Sequence, residues 1–312
     1  EITNNECKEL LDKPADVVLM NGFEDDFVPK GATFTGKRKR ARSTMLRVAN
    51  CLLGEDLGDD TLIIGTSGRY EFKNKGIDVF LESLNRLNRD KDLKKKVLAF
   101  VNVPSWVGDP REDLQKRLKS KDKFTEPLQC PFITHWLHNM THDQVLDMLK
   151  YLGMGNRPED KVKVIFVPCY QDGHDGILNK HYYDLILGED LSVYPSYYEP
   201  WGYTPLESVA FRVPTITTDL AGFGLWVNSL KNQHGINDGV EVLHRSDYNY
   251  SEVADGIKDT VALFSTKTEA EIKEIRKRAG QVAEQALWKH FIQYYYEAYD
   301  IALRNAMKRQ LK

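Results

Sequence analysis

A series of short apolar segments, separated by stretches with helical spacing, restricts the fold of this chain more than any other feature. Apolar runs of four to eight residues that end in turn residues are typical of buried strands. The predicted strands are at 17–20, 61–66, 97–103, 162–168, 191–195 and 214–218. The stretches with helical spacing are at 38–53, 76–87 and 205–211.

Strands that alternate with helices over short links predict an α/β fold with a doubly wound parallel sheet covered on both faces. We expect a single domain over residues 1–312, without internal repeats. A helical insertion is predicted at about 110–155, with helices at 113–121 and 143–152, and a long helical tail at about 269–309. Sheets of this kind bind ligands at the carboxyl ends of their strands.

Composition excludes several classes of protein. With 312 residues, of which 41% are hydrophobic, the chain can bury a sizeable core. Its apolar runs are far shorter than the roughly 20 residues that span a bilayer, so no membrane partner is expected. The net charge of −3 and the local nature of the basic runs argue against nucleic acid as a partner.

The cysteines and the first residues bear on location. Four cysteines are scattered without CxxC spacing, which disfavours a disulfide framework or a zinc knuckle and favours the cytoplasm. The start is acidic and polar, unlike a secretory signal. Because the chain begins with Glu1 rather than Met, we expect it to be a fragment of a longer protein.

The segment at 194–207 carries the strongest functional signal because it follows a predicted strand and opens a helix. Thr204 suits an N-cap, Pro205 the first helical position and Glu207 the third, which predicts a capping box. The free N–H groups of such a helix start bind anions, and Gly202 allows backbone to approach a diphosphate closely.

Three ordered motifs carry a resemblance to a known family: GRYEFKNKG at 68–76, SYYEPWGYTPLE at 196–207 and TDLAGFG at 218–224. Glu199 and Glu207, eight positions apart, resemble the paired glutamates of retaining GT-B glycosyltransferases. The sequence around them is similar to the corresponding segment of the glycogen synthases of the animal and fungal type. The resemblance implies a Rossmann-like, nucleotide-sugar-binding C-terminal half of a GT-B enzyme, without its N-terminal acceptor domain.

The resemblance implies retaining transfer of glucose from UDP-glucose or ADP-glucose to an α-1,4-glucan in glycogen biosynthesis. Arg69 and Lys75 would grip the diphosphate, where negative charge grows in the transition state, and Glu199 would contact the donor glucose. For an isolated Arg and Lys, the alternative is a solvated surface pair. No metal or cofactor is expected, because these cations and a helix end neutralise the charge.

Five further residues are implied to bind the donor. Glu207 would hold the ribose hydroxyls, although helix capping is an alternative role for its carboxylate. Tyr182 lies where the family has an aromatic residue that stacks on the base, and core packing is its alternative. Gly202, Tyr203 and Thr204 would face the diphosphate from the helix start.

The resemblance also implies partners, and it leaves alternatives open. An α-glucan acceptor would bind through the absent N-terminal domain, and the helices could support a homo-oligomer. Only Arg276 and Arg278 match the family's arginine-rich helix, which puts an anion effector site such as one for glucose 6-phosphate in doubt. A sucrose-synthase-like hexosyltransferase and a non-catalytic nucleotide-sugar-binding module remain alternative functions.

Two polar clusters receive weaker hypotheses. Three histidines have spacings that would suit a metal site on a helix, although no fourth ligand is evident and a structural loop is favoured. They are His135, His138 and His142. A second cluster follows a predicted strand and could line the ligand edge of the sheet. It comprises Asp172, His174 and Asp175.

Overall fold

The computed structural model describes residues 2–231, 233 and 235–310. Its helices are α1 Ile2–Leu11, α2 Gly31–Leu53, α3 Ile77–Asn88, α4 Glu112–Lys119, α5 Gln144–Tyr151, α6 Tyr182–Ile186, α7 Tyr203–Ala210, α8 Gly222–Ser229, α9 Tyr250–Ser265, α10 Glu269–Gln285 and α11 Trp288–Gln310. Its strands are β1 Leu62–Ser67, β2 Val97–Asn102, β3 Val107–Pro110, β4 His135–Leu137, β5 Val162–Val167, β6 Leu191–Val193, β7 Thr215–Thr218 and β8 Val240–Leu243.

Six strands form one parallel sheet in the order β5-β2-β1-β6-β7-β8. The chain winds outward from β1 to β2 and β5, then returns to the middle and winds the other way from β6 to β8. The prediction of a doubly wound parallel sheet is therefore confirmed. The order reverses between β1 and β6, and a crevice for ligands is expected where such neighbouring strands end.

Both faces of the sheet are buried, as a parallel sheet requires. Successive residues of a strand point to opposite faces. In β1, Leu62 and Ile64 belong to the core under α3 and α9, whereas Ile63 belongs to the core under α2. Phe100 of β2 joins the α2 side and Val101 the other. This two-sided burial explains why the strands read as continuous apolar runs.

The prediction of a strand at 17–20 is wrong. That segment is irregular, and Val17 and Val18 are exposed. The chain pairs just beyond it instead, where the N–H of Phe23 donates to the carbonyl of Ala286 (2.9 Å) and the N–H of Trp288 donates to Phe23 (3.1 Å). An apolar run becomes a strand only where a neighbouring strand offers a ladder, and none does here.

The insertion predicted as helical at about 110–155 is helical only near its two ends, in α4 and α5. Between them lie loops and β4, which pairs with β3 in an antiparallel hairpin. Buried Arg111 fastens these loops by donating to the carbonyls of Gln129 (2.7 Å), Cys130 (2.8 Å) and Ile133 (3.2 Å). The hydrogen bonds of one buried side chain thus hold loops that have little regular secondary structure.

The C-terminal tail is two helices, α10 and α11, rather than one continuous helix. The break at Ala286 and Leu287 lets this part of the chain hydrogen-bond to Phe23. Over the described ranges, no helix combines the length and apolar character that crossing a bilayer requires.

Candidate functional site

Two loops meet where the strand order reverses: residues 68–76 after β1 and residues 194–202 after β6. The N–H of Tyr197 donates to the carbonyl of Asn74 (2.7 Å) and joins them. At the contact, Gly76 has a φ of +67°, and a Cβ there would overlap the carbonyl oxygen of Pro195. Glycine is therefore required for these loops to touch.

The junction brings two predicted site residues together. The Lys75 ammonium forms an ion pair with the Glu199 carboxylate, and both side chains are largely buried. Arg69 lies at the rim with a side chain that is 77% exposed, and its Nη1 is 2.9 Å from Oε1 of Glu71. Each cation that we predicted to grip a diphosphate is thus paired with a carboxylate of its own chain.

The loop at 218–224 holds the backbone of Glu199. The N–H of Glu199 donates to the carbonyl of Leu220 (3.2 Å), and its carbonyl accepts from the N–H of Gly222 (3.0 Å). Two main-chain bonds therefore orient this residue, leaving its carboxylate directed at Lys75. The third motif of the sequence acts as a support for the second.

Helix α7 begins earlier than predicted. Gly202 is the N-cap with a φ of 105°, Tyr203 is the first helical residue, and no side chain caps the helix. The prediction of a Thr204–Glu207 capping box is wrong, because only glycine adopts this φ readily and its turn starts the helix at Tyr203. A capping box does occur at the start of α10, between Thr268 and Glu271.

Glu207 faces away from the helix end toward α6. Its Oε1 accepts a hydrogen bond from the hydroxyl of Tyr183 (2.8 Å), whose ring stacks on Phe211 with 5.2 Å between centroids. Burial raises the pKa of Glu207 above its usual value, and the Tyr183 hydroxyl opposes that shift. Sequence reasoning did not identify Tyr183, although it adjoins Tyr182.

A cavity of about 270 Å³ opens beside the two loops. Its walls include four residues of the predicted regions, Gly68, Arg69, Tyr182 and Thr204. Six more were missed by the sequence analysis, namely Ser67, Asn102, Pro104, Cys169, Tyr170 and Gln171. The missed residues lie at or just after the carboxyl ends of β1, β2 and β5, and this shared position was the available signal.

Tyr182 is one of the walls of this cavity. Its hydroxyl accepts from the hydroxyl of Ser67 (3.0 Å), and its N–H donates to the carbonyl of Gln171 (3.1 Å). The amide of Gln171 in turn donates to Oδ1 of Asn102 (2.8 Å). Burial raises the pKa of the Tyr182 phenol well above its usual value. An apolar space with a few fixed polar groups suits a planar heterocycle.

The structure does not group the three histidines of the metal hypothesis. His135 lies in strand β4, so the helical spacing on which that hypothesis rested is wrong. The ring of His138 instead lies 5.0 Å from the ring of Trp106. His135 is near Cys169 and Asp175, a grouping of side-chain types that could hold a metal ion.

The contacts of this second grouping are those of a loop anchor. Nε2 of His135 bonds the carbonyl oxygen of Asp175 (2.7 Å) and Nδ1 bonds the hydroxyl of Thr134 (2.9 Å). The Asp175 carboxylate accepts backbone N–H bonds from Ile177, Leu178 and Asn179. Burial raises the pKa of the Cys169 thiol to about 12. Asp172, His174 and Asp175 do not line the 270 Å³ cavity.

A larger cavity of about 740 Å³ lies at the opposite, amino-terminal edge of the sheet. Asp190 there bridges Arg38 (2.5 Å) and Arg42 (2.7 Å). Arg276 is buried beside it, whereas Arg278 is partly exposed and pairs with Asp238. None of the predicted donor residues, all of which the structure describes, lines this larger cavity.

Solved structures similar to this chain show its fold. Sucrose-phosphate synthase from Thermosynechococcus elongatus aligns with a TM-score of 0.52 and 15% identity, covering 97% of this chain and 57% of that one. HepE from Anabaena, solved in complex with UDP and glucose, aligns with a TM-score of 0.50 and 17% identity, covering 91% and 56%. At these identities the likeness concerns the α/β fold of the described residues alone.

Similar sequences are glycogen [starch] synthases. The chain is 27% identical to that of Neurospora crassa over 98% of this chain and 51% of the relative. It is 28% identical to isoform 2 of Saccharomyces cerevisiae over 100% and 53%, and 25% identical to the mouse liver enzyme over 98% and 51%. The chain thus spans about half the length of the curated relatives it matches. The sequence model described as glycogen synthase matches residues 1–109 and 109–312, and the chain belongs to that family.

Proposed function

We propose that this chain forms the donor-binding part of a retaining glucosyltransferase that lengthens an α-1,4-glucan from UDP-glucose in glycogen biosynthesis. One observation carries the proposal. Arg69 and Thr204 of α7 line the 270 Å³ cavity at the point where the strand order reverses, and the loops after β1 and β6 also carry the Lys75–Glu199 ion pair. Membership of the glycogen synthase family and the likeness to HepE, solved with UDP and glucose, support the same donor class.

The proposed chemistry uses positive charge at the leaving group. Breaking the bond between the anomeric carbon and the diphosphate places negative charge on the leaving oxygen. Lys75 supplies an ammonium, Arg69 a guanidinium fork, and α7 the free N–H groups of its first turn. Fixed cations at such a position stabilise the transition state, so we propose that transfer needs no metal ion or cofactor.

Donor binding and the Lys75–Glu199 pair are coupled in this proposal. A diphosphate competes with the Glu199 carboxylate for Lys75, and the released carboxylate accepts a hydroxyl of the donor glucose. Glu199 then stabilises the positive charge that develops on the sugar ring. The largely buried setting of the pair strengthens each of these interactions.

The nucleoside is proposed to occupy the cavity. The base lies against Tyr182, and the ribose reaches Glu207, whose carboxylate exchanges the Tyr183 hydroxyl for ribose hydroxyls. Gly202, Tyr203 and Thr204 approach the diphosphate. We propose that the glucan acceptor binds to a region that corresponds to the other half of the relatives, which this chain does not span, and reaches the donor glucose from there.

Two further parts of the proposal concern location and assembly. All four cysteines are free thiols in the structure, which supports the reducing cytoplasm as the compartment. A homo-oligomer built through the helical regions stays a prediction.

The test is calorimetric titration of the chain with UDP, ADP and uridine. We expect saturable UDP binding that is tighter than ADP binding, and we expect Arg69→Ala/Lys75→Ala to weaken UDP binding at least about 100-fold, because two charge-assisted contacts are lost. Uridine affinity should stay the same in that variant. The matched control is Arg304→Ala/Lys308→Ala, which removes the same two charges from the exposed end of α11.

Two outcomes would contradict the proposal. Binding of UDP with unchanged affinity to the Arg69→Ala/Lys75→Ala variant would exclude these residues from the diphosphate site. A preference for ADP would assign a different donor class.

A further inference from the structure

A carboxyl group that the proposed mechanism does not use lies between β1 and β6. Glu189 precedes β6 and is only 4% exposed. Its carboxyl group fills the space that a side chain at Gly65 of β1 would occupy, since a Cβ there would overlap it. The group is therefore inserted between the two strands at which the sheet order reverses.

The partners of this carboxyl group are hydroxyls. The hydroxyl of Ser192 donates to Oε2 of Glu189 (2.7 Å), and the hydroxyl of Ser208 donates to that of Ser192 (2.9 Å). Among the described residues, no lysine, arginine or histidine forms an ion pair with the carboxyl group of Glu189. Burial raises its pKa to about 8, and the neighbouring Asp190 carboxylate adds to the shift.

The nearby cations are directed elsewhere. Arg38 of α2 and Arg276 of α10 donate to the main-chain oxygen of Glu189 (2.7 and 3.1 Å). Arg38 and Arg42 also share the carboxylate of Asp190. The charges packed around this position thus satisfy the backbone and Asp190, and the Glu189 side chain faces the sheet interior.

A row of hydroxyls connects this position to the cavity. Tyr194 directly follows β6 and is two residues beyond Ser192, so the two side chains point to the same face of the sheet. The Tyr194 hydroxyl is 3.4 Å from that of Ser67, which donates to Tyr182. Burial, and after it the charge of Glu189, raise the pKa of Tyr194. Ser67 and Tyr182 are cavity walls.

We infer that Glu189 is a positioning residue for the nucleoside: its neutral carboxyl group holds β1, β6 and the Ser67–Tyr182 wall in the binding arrangement, and its ionisation weakens nucleotide binding. This inference rests on the proposed function of the cavity. A buried carboxylate without a cation is costly. Water entry or local separation of β1 from β6 relieves that cost, and either one displaces Ser67.

The experiment measures the Kd of UDP and uridine for the chain between pH 6.5 and 9. We expect both Kd values to rise several-fold between pH 7 and pH 9 in the wild type. In Glu189→Gln, whose amide copies the shape of the neutral acid, the Kd at pH 9 should stay near its value at pH 7. Ionisation of uracil itself affects both proteins equally and cancels in the comparison. Exposed Glu297→Gln is the control and should follow the wild type.

A second variant tests the inference without replacing Glu189. Ser192→Ala removes the hydroxyl that donates a hydrogen bond to the Glu189 carboxylate. Without this bond the ionised form is less stable and the pKa of Glu189 rises, so the loss of nucleotide binding should begin at a higher pH. Parallel pH profiles in wild type and Glu189→Gln, or an unmoved profile in Ser192→Ala, would overturn the inference and leave the proposed function standing. Absence of UDP binding at every pH in the wild type would overturn both.

Discussion

The ammonium group of Lys75 and the carboxylate of Glu199, 124 positions apart in the chain, form an ion pair at the carboxyl edge of the sheet. They meet because Lys75 follows β1 and Glu199 follows β6. These two strands are neighbours in the sheet, although β2 to β5 lie between them in the sequence. The pair is the point at which donor binding and transfer would be coupled, and it gives the first prediction.

Glu199→Gln should separate binding from transfer. Removing the carboxylate frees Lys75, so the Kd of UDP should fall by at least about five-fold, because a largely buried ion pair interacts more strongly than an exposed one. The proposed glucosyl transfer should fall about 100-fold or more, because an amide does not stabilise positive charge on the sugar ring. Calorimetry of the chain and a glucose-incorporation assay measure the two effects. A variant that loses UDP binding together with activity would contradict the assigned competition.

Gly76→Ala should destabilise the fold more than a matched glycine substitution. Gly76 and Gly153 have nearly equal φ angles, +67° and +68°, but a Cβ at Gly153 would meet nothing within 4 Å. The control should cost roughly 1 kcal/mol for the left-handed backbone alone. Overlap with Pro195 should add about 2 kcal/mol at Gly76. Urea unfolding compares the two midpoints, and equal values would show that the loops do not need this close approach.

Arg111→Met should unfold the insertion or destabilise the whole domain by about 3 kcal/mol, because three loop carbonyls lose their donor inside the protein. Methionine retains most of the side chain's volume. Arg304→Met on the exposed face of α11 is the control and should change the free energy of unfolding little. Proteolysis within residues 120–143 provides a second measurement, since loosened loops are cleaved faster. Equal resistance to proteolysis in the Arg111 and Arg304 variants would contradict the role of Arg111 in holding these loops.

The free energy of unfolding should depend on pH through Glu189. Its pKa is about 8 in the folded protein and near the usual glutamate value of 4.5 when unfolded, so between these values the folded state holds a proton that the unfolded state has released. Stability from this group therefore falls as pH rises from about 4.5 to 8, by at most about 1.4 kcal/mol per pH unit.

Glu189→Gln should remove that slope, and the difference between the two proteins isolates it from other groups such as His135, whose pKa is lowered by burial. Urea unfolding at half-unit steps of pH measures it. A constant difference in the free energy of unfolding across the window would mean that Glu189 is ionised in the folded state.

Local patterns predicted the sheet well and its surroundings less well. Five apolar runs became β1, β2, β5, β6 and β7 because strands buried on both faces leave a continuous apolar signature. The segment at 17–20 has a similar composition but no ladder partner, and composition does not reveal partners. β8 was missed because its four residues, Val240–Leu243, include a charged Glu241.

The sequence by itself determined the family and the doubly wound sheet, because these depend on short motifs and on the spacing of apolar residues, and it predicted the residues of a donor site. Only the tertiary structure decided that Gly202 starts α7, that Lys75 pairs with Glu199, that Tyr183 holds Glu207, and that the carboxyl group of Glu189 lies against Gly65. Each of these depends on which strands become neighbours and how closely their loops approach. That is a property of the packed chain, in which residues more than 100 positions apart share one environment, and no local pattern encodes it.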